Sequence, residues 1–109
     1  MLLAEADYDL GDNQGAADAI NVLRVRAHAT PIAASDITID RILDERAREL
    51  FSEEDRRYVL LRTGRWLARV QADNKIAGSL VAARDTILPI PQAVIDANRT
   101  SPMRQNPGY

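Results

Sequence analysis

Residues 2–27 read LLAEADYDLGDNQGAADAINVLRVRA, and this stretch predicts a pair of helices joined by a tight turn. Apolar side chains recur at helical spacing on both sides of the turn. Gly11 suits the position just after a helix, and Asp12 or Asn13 suits the cap of the next one. Because the connection is so short, the two helices within residues 1–29 must lie antiparallel as a hairpin.

Further helices are expected after this hairpin, whose second helix should run from about 14 to 29. Thr38 can cap a third helix over about 39–52, which has an apolar stripe opposite a charged face. The stripe consists of Ile39, Ile42, Leu43, Ala47, Leu50 and Phe51. Helical spacing continues over about 54–62 and, after Gly64, to about residue 71. No alternating pattern is long enough to predict a strand.

The C-terminal tail is rich in proline. Pro89 and Pro91 flank Ile90, so the backbone there must be extended and lie outside any helix. Pro91 suits the start of a short helix through Ile95, and Asn98 suits its end.

Composition limits the classes of function. The 109 residues suffice for at most one domain, and 46% apolar with 28% charged residues is typical of a globular chain. A net charge of −2 gives no reason to expect nucleic acid as a partner. The chain has no cysteine, which excludes disulfides, thiolate metal sites and cysteine nucleophiles. No apolar run approaches the ~18 residues of a membrane span.

The carboxylates that resemble an acid–base pair have a structural explanation. Asp44, Glu45, Glu49, Glu53 and Glu54 alternate with arginines along the chain. Such neighbours keep carboxylates charged and paired, so a solvated helix face is favoured over a catalytic pair.

The other candidate residues also favour structural roles. His28 is the only histidine, and without a metal partner set or a nucleophile beside it we expect a helix-end or surface position. Tyr58 and Trp66 are expected in the core rather than stacked on a sugar ring. An arginine cluster is expected to pair with nearby acids rather than with phosphate or acidic sugars: Arg56, Arg57, Arg62, Arg65 and Arg69. We therefore predict no catalytic, cofactor-binding or metal-binding residue.

Three segments together resemble the C-terminal part of the SusD/RagB family of nutrient-uptake lipoproteins. The hairpin resembles the family's last tetratricopeptide-like (TPR-like) repeat. The second segment resembles the family in three places: ILDERAREL (42–50), Arg56 and RTG (62–64). The third and most specific one is to the family's ending, in LPIPQ (88–92), IDAN (95–98) and QNPGY (105–109).

The resemblance implies an all-α fold. Its parts would be a TPR-like hairpin over 1–29, a helical segment over 38–71, and a loop with an extended Pro-rich tail over 72–109. Together they would form a single partial domain of a longer protein over 1–109.

The resemblance also implies a function without bond chemistry. The chain would be the C-terminal part of a cell-surface glycan- or nutrient-binding protein that works with a TonB-dependent, SusC-like outer-membrane transporter. It would lie at the surface of the outer membrane, lipid-anchored through an N-terminal region absent from this chain. The oligosaccharide or other nutrient would bind through regions that this chain lacks, so no ligand-binding residue is carried over.

Three residues depart from the family's pattern. Glu54 stands where the family usually has Gly, Arg57 where it has Trp, and Val59 where it has Asp. These departures predict either a join between the third and fourth helices that differs from the family's, or a diverged or degraded copy of the family's sequence. The stem of Arg57 can still cover apolar surface.

Two other functions fit the sequence less well. One is a stand-alone TPR-like protein–protein interaction module that holds a peptide in a helical groove. The other is a glycosidase with paired carboxylates. Because a helical hairpin leaves stacking faces uncovered, we also expect marginal stability and an exposed apolar patch around Leu2, Leu3, Ala6, Leu10 and Ile20.

Overall fold

The computed structural model describes residues 1–109 and consists of helices and connecting segments, without a strand. The helices are α1 (Leu2–Asp9), α2 (Asn13–Arg26), α3 (Ile39–Glu49), α4 (Arg56–Arg62), α5 (Trp66–Asp73) and α6 (Gln92–Ala97). This confirms the all-α class. The chain forms two compact units, Met1–Arg56 and Arg57–Tyr109. The single partial domain expected over 1–109 stays a prediction.

The α1–α2 hairpin follows from its turn residues. Gly11 adopts a left-handed φ of +82°, which allows the Asp12 amide to bond the Asp7 carbonyl at 2.8 Å and so to close α1. The Asp12 carboxylate then accepts a hydrogen bond from the Gly15 amide at 2.8 Å and caps α2. This hairpin is compatible with the predicted TPR-like repeat.

Helix α2 ends at Arg26, three residues before the predicted end. His28 takes a left-handed φ of +55°, and the Ala29 amide bonds the Arg24 carbonyl at 2.8 Å. His28 thus occupies the position after a helix that glycine usually fills. It is exposed, which confirms the expected helix-end or surface position.

The core of the first unit joins the hairpin, the following segment and α3. It consists of Ala4, Ala16, Ala17, Ile20, Ile32, Ile37 and Ile42. Ala4 on α1 and Ala16 and Ala17 on α2 have almost no exposed surface, so the two helices approach closely. The apolar side chains near the C-terminal end of α2 lie outside this core, because Val22, Val25 and Ala27 are exposed.

The extended segment after α2 is held by one amide side chain. Asn21 donates from Nδ2 to the Ile32 carbonyl at 2.9 Å, and its Oδ1 accepts from the Ile32 amide at 2.8 Å. Asn21 therefore satisfies both backbone groups of a buried residue that belongs to no helix or strand. We call this pairing the Asn21 clamp.

Helix α3 begins as predicted and ends early. The Thr38 hydroxyl accepts from the Arg41 amide at 3.1 Å and caps the helix. Its buried face contains Ile42 and Leu43, but the helix ends at Glu49 instead of near residue 52. Phe51 lies beyond this end and is 81% exposed, so its placement in the apolar stripe was wrong.

A buried arginine joins α1 to α3 and to the segment after α3. Arg46 is only 7% exposed, and its guanidinium binds Glu54 through two hydrogen bonds, one of them from Nε to Oε2 at 2.6 Å. Its Nη1 also lies 3.7 Å from Oε2 of Glu5, which is 5% exposed. We call these three side chains the Arg46 network. The network gives Glu54 a structural role. The glycine that the family usually has at this position would offer no carboxylate to Arg46.

Helix α4 begins at Arg56 rather than near residue 54, and α5 extends to Asp73 rather than to about 71. Gly64, at a left-handed φ of +69°, separates the two helices.

Trp66 is 8% exposed, and the Arg57 guanidinium carbon lies 4.3 Å from its ring centroid. Arg57 thus covers an aromatic face by a cation–π contact. Val59, the third departure from the family's pattern, is buried at 2% exposure.

The C-terminal residues hold the Pro-rich segment by side-chain amides. Gln105 Oε1 accepts from the Ile90 amide at 2.7 Å, and its Nε2 donates to the Ile90 carbonyl at 2.8 Å. Asn106 donates to the Leu88 carbonyl at 2.7 Å. We call the Gln105 pairing the Gln105 clamp. Helix α6 has Asn98 as its C-cap, as predicted, but it begins at Gln92, after Pro91, and runs to Ala97 rather than to Ile95. An extended course for the whole tail stays a prediction.

The helices are too short for a membrane span. The longest helix, α2, has 14 residues, and no helix is long and apolar enough to cross a bilayer.

The Arg46 network predicts unequal effects for two arginines of α3. Arg46→Ala should lower the free energy of unfolding by ~3–5 kcal/mol, because Glu5 stays buried without this guanidinium. Arg48→Ala should cost ~1 kcal/mol or less, because exposed ion pairs contribute little; the Arg48 side chain is 67% exposed. Urea denaturation followed by circular dichroism measures both, and equal losses would contradict a dominant role for Arg46.

The Gln105 clamp predicts a local effect on hydrogen exchange. Gln105→Glu keeps an acceptor for the Ile90 amide but places a carboxylate oxygen against the Ile90 carbonyl. We expect the Ile90 amide to exchange about tenfold faster, the equivalent of one hydrogen bond. Gln71→Glu is the control, because Gln71 makes only one weak bond, to the Val81 carbonyl at 3.3 Å. Unchanged exchange at Ile90 in Gln105→Glu would rule out the clamp.

Candidate functional site

The carboxylates considered as catalytic candidates are distributed among different partners. Asp44 lies 3.7 Å from Arg56, and Glu54 belongs to the Arg46 network. Glu53 is exposed. Glu45 and Glu49, one helical turn apart on α3, line the same cavity.

This cavity is a cleft of about 450 Å³ within the first unit. Its volume lies within the ~300–1,000 Å³ typical of ligand clefts. Residues from α2, the segment after it and α3 line the cleft: Leu23, Arg24, Ala27, Ala29, Arg41, Glu45, Arg48 and Glu49. We call it the α2–α3 cleft.

Arginines hold both glutamates of the α2–α3 cleft. Glu45 Oε1 accepts from Arg24 on α2 and from Arg48 on α3, the latter at 2.6 Å. Glu49 pairs with Arg26. Both carboxylates of the cleft are therefore engaged in ion pairs with arginines.

Arg24 is the most fixed of the cleft arginines. Its Nε donates to the Thr30 carbonyl at 2.6 Å while its Nη1 binds Glu45. The Arg48–Glu45 pair has the i, i+3 spacing that is usual for ion pairs on one helix face. Arg24–Glu45 joins residues 21 positions apart, so sequence reasoning missed it. No spacing rule within one helix identifies such a pair.

The apolar surface of α1 is a second feature of the first unit. Leu2, Leu3 and Leu10 are at least 64% exposed, as predicted. Ala6 is exposed too, but Ile20 was wrongly placed in this patch: it is fully buried in the hairpin core. The cavity beside α1, of about 470 Å³, is lined by Met1, Leu2, Leu3, Leu23, Arg46, Glu49 and Leu50.

The two aromatic candidates, Trp66 and Tyr58, differ in burial. Trp66 is buried, as predicted, but Tyr58 is 66% exposed, so its core placement was wrong. Arg57, from the predicted arginine cluster, donates to the Asp85 carbonyl at 2.8 Å as well as covering Trp66. No three or more histidine, cysteine, aspartate or glutamate side chains come together in an arrangement able to hold a metal ion.

Comparison with known proteins identifies a family. The family profile described as the SusD family matches residues 1–109. No curated protein and no solved structure matches the chain.

The exposed face of α1 predicts dye binding by the folded chain. ANS should fluoresce with the native protein, because Leu3 borders an apolar cavity and is 64% exposed. Leu3→Ser should reduce this fluorescence. Ile76→Ser is the matched control, since Ile76 is 87% exposed and lines none of the cavities described here. Equal fluorescence of all three proteins would contradict a binding surface on α1.

Proposed function

We propose that this chain, which belongs to the SusD family, serves nutrient capture in partnership with a TonB-dependent, SusC-like transporter of the outer membrane. Family membership implies a nutrient- or glycan-binding protein of the cell surface. The observation that carries the proposal is the match over residues 1–109, in a chain whose fold is entirely helical.

The proposal includes a position and an anchor. The protein would lie on the outer face of the outer membrane, held there by a lipid anchor. The three matching segments support a place in the C-terminal part of such a protein. The principal nutrient site would lie in other regions, as the family resemblance implies.

The proposal also includes the absence of bond chemistry. The two glutamates that share a cleft, Glu45 and Glu49, are both held by arginines. A glycosidase needs one carboxyl group that is protonated and able to donate to the leaving oxygen. This pairing supports a binding role.

The transporter partnership predicts a stable complex in the cells that make this protein. An antibody against the chain, used on membranes extracted with mild detergent, should recover a SusC-like β-barrel protein in comparable amount, identified by mass spectrometry. Cells lacking the gene are the control. The same antibody should label intact cells. Recovery of the chain without any such transporter would refute the partnership, and labelling only after lysis would refute the surface location.

A further inference from the structure

We infer that the α2–α3 cleft is a binding site for the carboxylate of an acidic sugar, a hexuronate unit. The choice of a sugar rests on the proposed function, whereas the choice of a carboxylate rests on the cleft itself. The site would add a contact within this chain to the principal nutrient site expected elsewhere.

The charge of the cleft favours an anion. Three arginines, Arg24, Arg41 and Arg48, line it against two glutamates. Of these glutamates, Glu49 is already paired with Arg26, whose guanidinium adds another positive charge. The cleft therefore has more positive than negative charge.

Unused donors remain on the cleft arginines. Arg24 is held at Nε and Nη1, so its Nη2 is left for a ligand in a fixed orientation. Arg48 uses only Nη1, on Glu45. Arg41 is exposed, and its guanidinium makes no ion pair or hydrogen bond within the chain. Guanidinium groups bind carboxylates by paired, charge-assisted hydrogen bonds.

The remaining wall of the cleft suits a sugar ring. Leu23, Ala27 and Ala29 provide apolar surface beside the arginines. A hexuronate combines one carboxylate with a ring whose C–H groups can pack on such a wall. Its hydroxyl groups can reach the free oxygen of Glu49, which uses only Oε1 for Arg26.

The direct test is an NMR titration of the ¹⁵N-labelled chain with D-glucuronate, D-glucose and acetate. We expect saturable shifts with glucuronate, centred on the amides around Arg24, Arg41 and Arg48, with a millimolar Kd. Glucose should give none, and acetate should bind more weakly than glucuronate. Acetate binding equal to that of glucuronate would overturn the sugar assignment, and no saturable shift with glucuronate would overturn the site.

Matched variants test the role of the cleft. Arg41→Gln should raise the Kd for glucuronate about fivefold. This is the upper end of the effect expected when one exposed ion pair is lost. This variant removes no ion pair or hydrogen bond of the folded chain, and unchanged amide shifts away from the cleft would show that it is folded. Arg104→Gln, an exposed arginine of the second unit, is the control and should leave the Kd unchanged. Equal effects of the two variants would overturn the site. Failure to recover a transporter in the cell experiment would leave this result unaffected.

Discussion

The first unit depends on the burial of Arg46 between two carboxylates. Arg46 lies on α3, Glu5 on α1 and Glu54 in the segment before α4, so one guanidinium restrains three parts of the chain. A buried charge is tolerated only where partners replace its hydration, and here the partners have to come from both directions along the sequence. The resulting position of α3 against the hairpin also creates the α2–α3 cleft, whose glutamates lie on α3 and whose fixed arginine lies on α2.

A second constraint acts where the backbone leaves helical structure. The Asn21 clamp and the Gln105 clamp each satisfy the amide and carbonyl of one isoleucine, Ile32 or Ile90. An amide side chain has a donor and an acceptor side by side, as a neighbouring strand does. The clamps therefore replace the missing strand partner in a chain without a sheet. For the tail, this gives a physical reason why LPIPQ and QNPGY occur together.

Sequence reasoning was sufficient where the decisive interactions are local. These local features are the turn at Gly11, the N-caps Asp12 and Thr38, and the C-cap of α6 at Asn98. Each depends on residues within a few positions of one another. It failed where distant residues meet. Phe51 and Tyr58 match apolar helical spacing, yet they are exposed, because the spacing cannot show which faces find a neighbour. Sequence reasoning missed the Arg24–Glu45 pair and the burial of Arg46 for the same reason.

The departures from the family's pattern have separate physical explanations. Glu54 supplies the bidentate partner of Arg46, and Arg57 covers Trp66 while bonding the Asp85 carbonyl. The most direct test of the central role of Arg46 is a double-mutant cycle with Glu5→Gln and Arg46→Met, measured as free energies of unfolding. We expect a coupling energy of ~1–3 kcal/mol between the two sites, as for residues of one buried network. Additive effects, with a coupling energy near zero, would contradict this account.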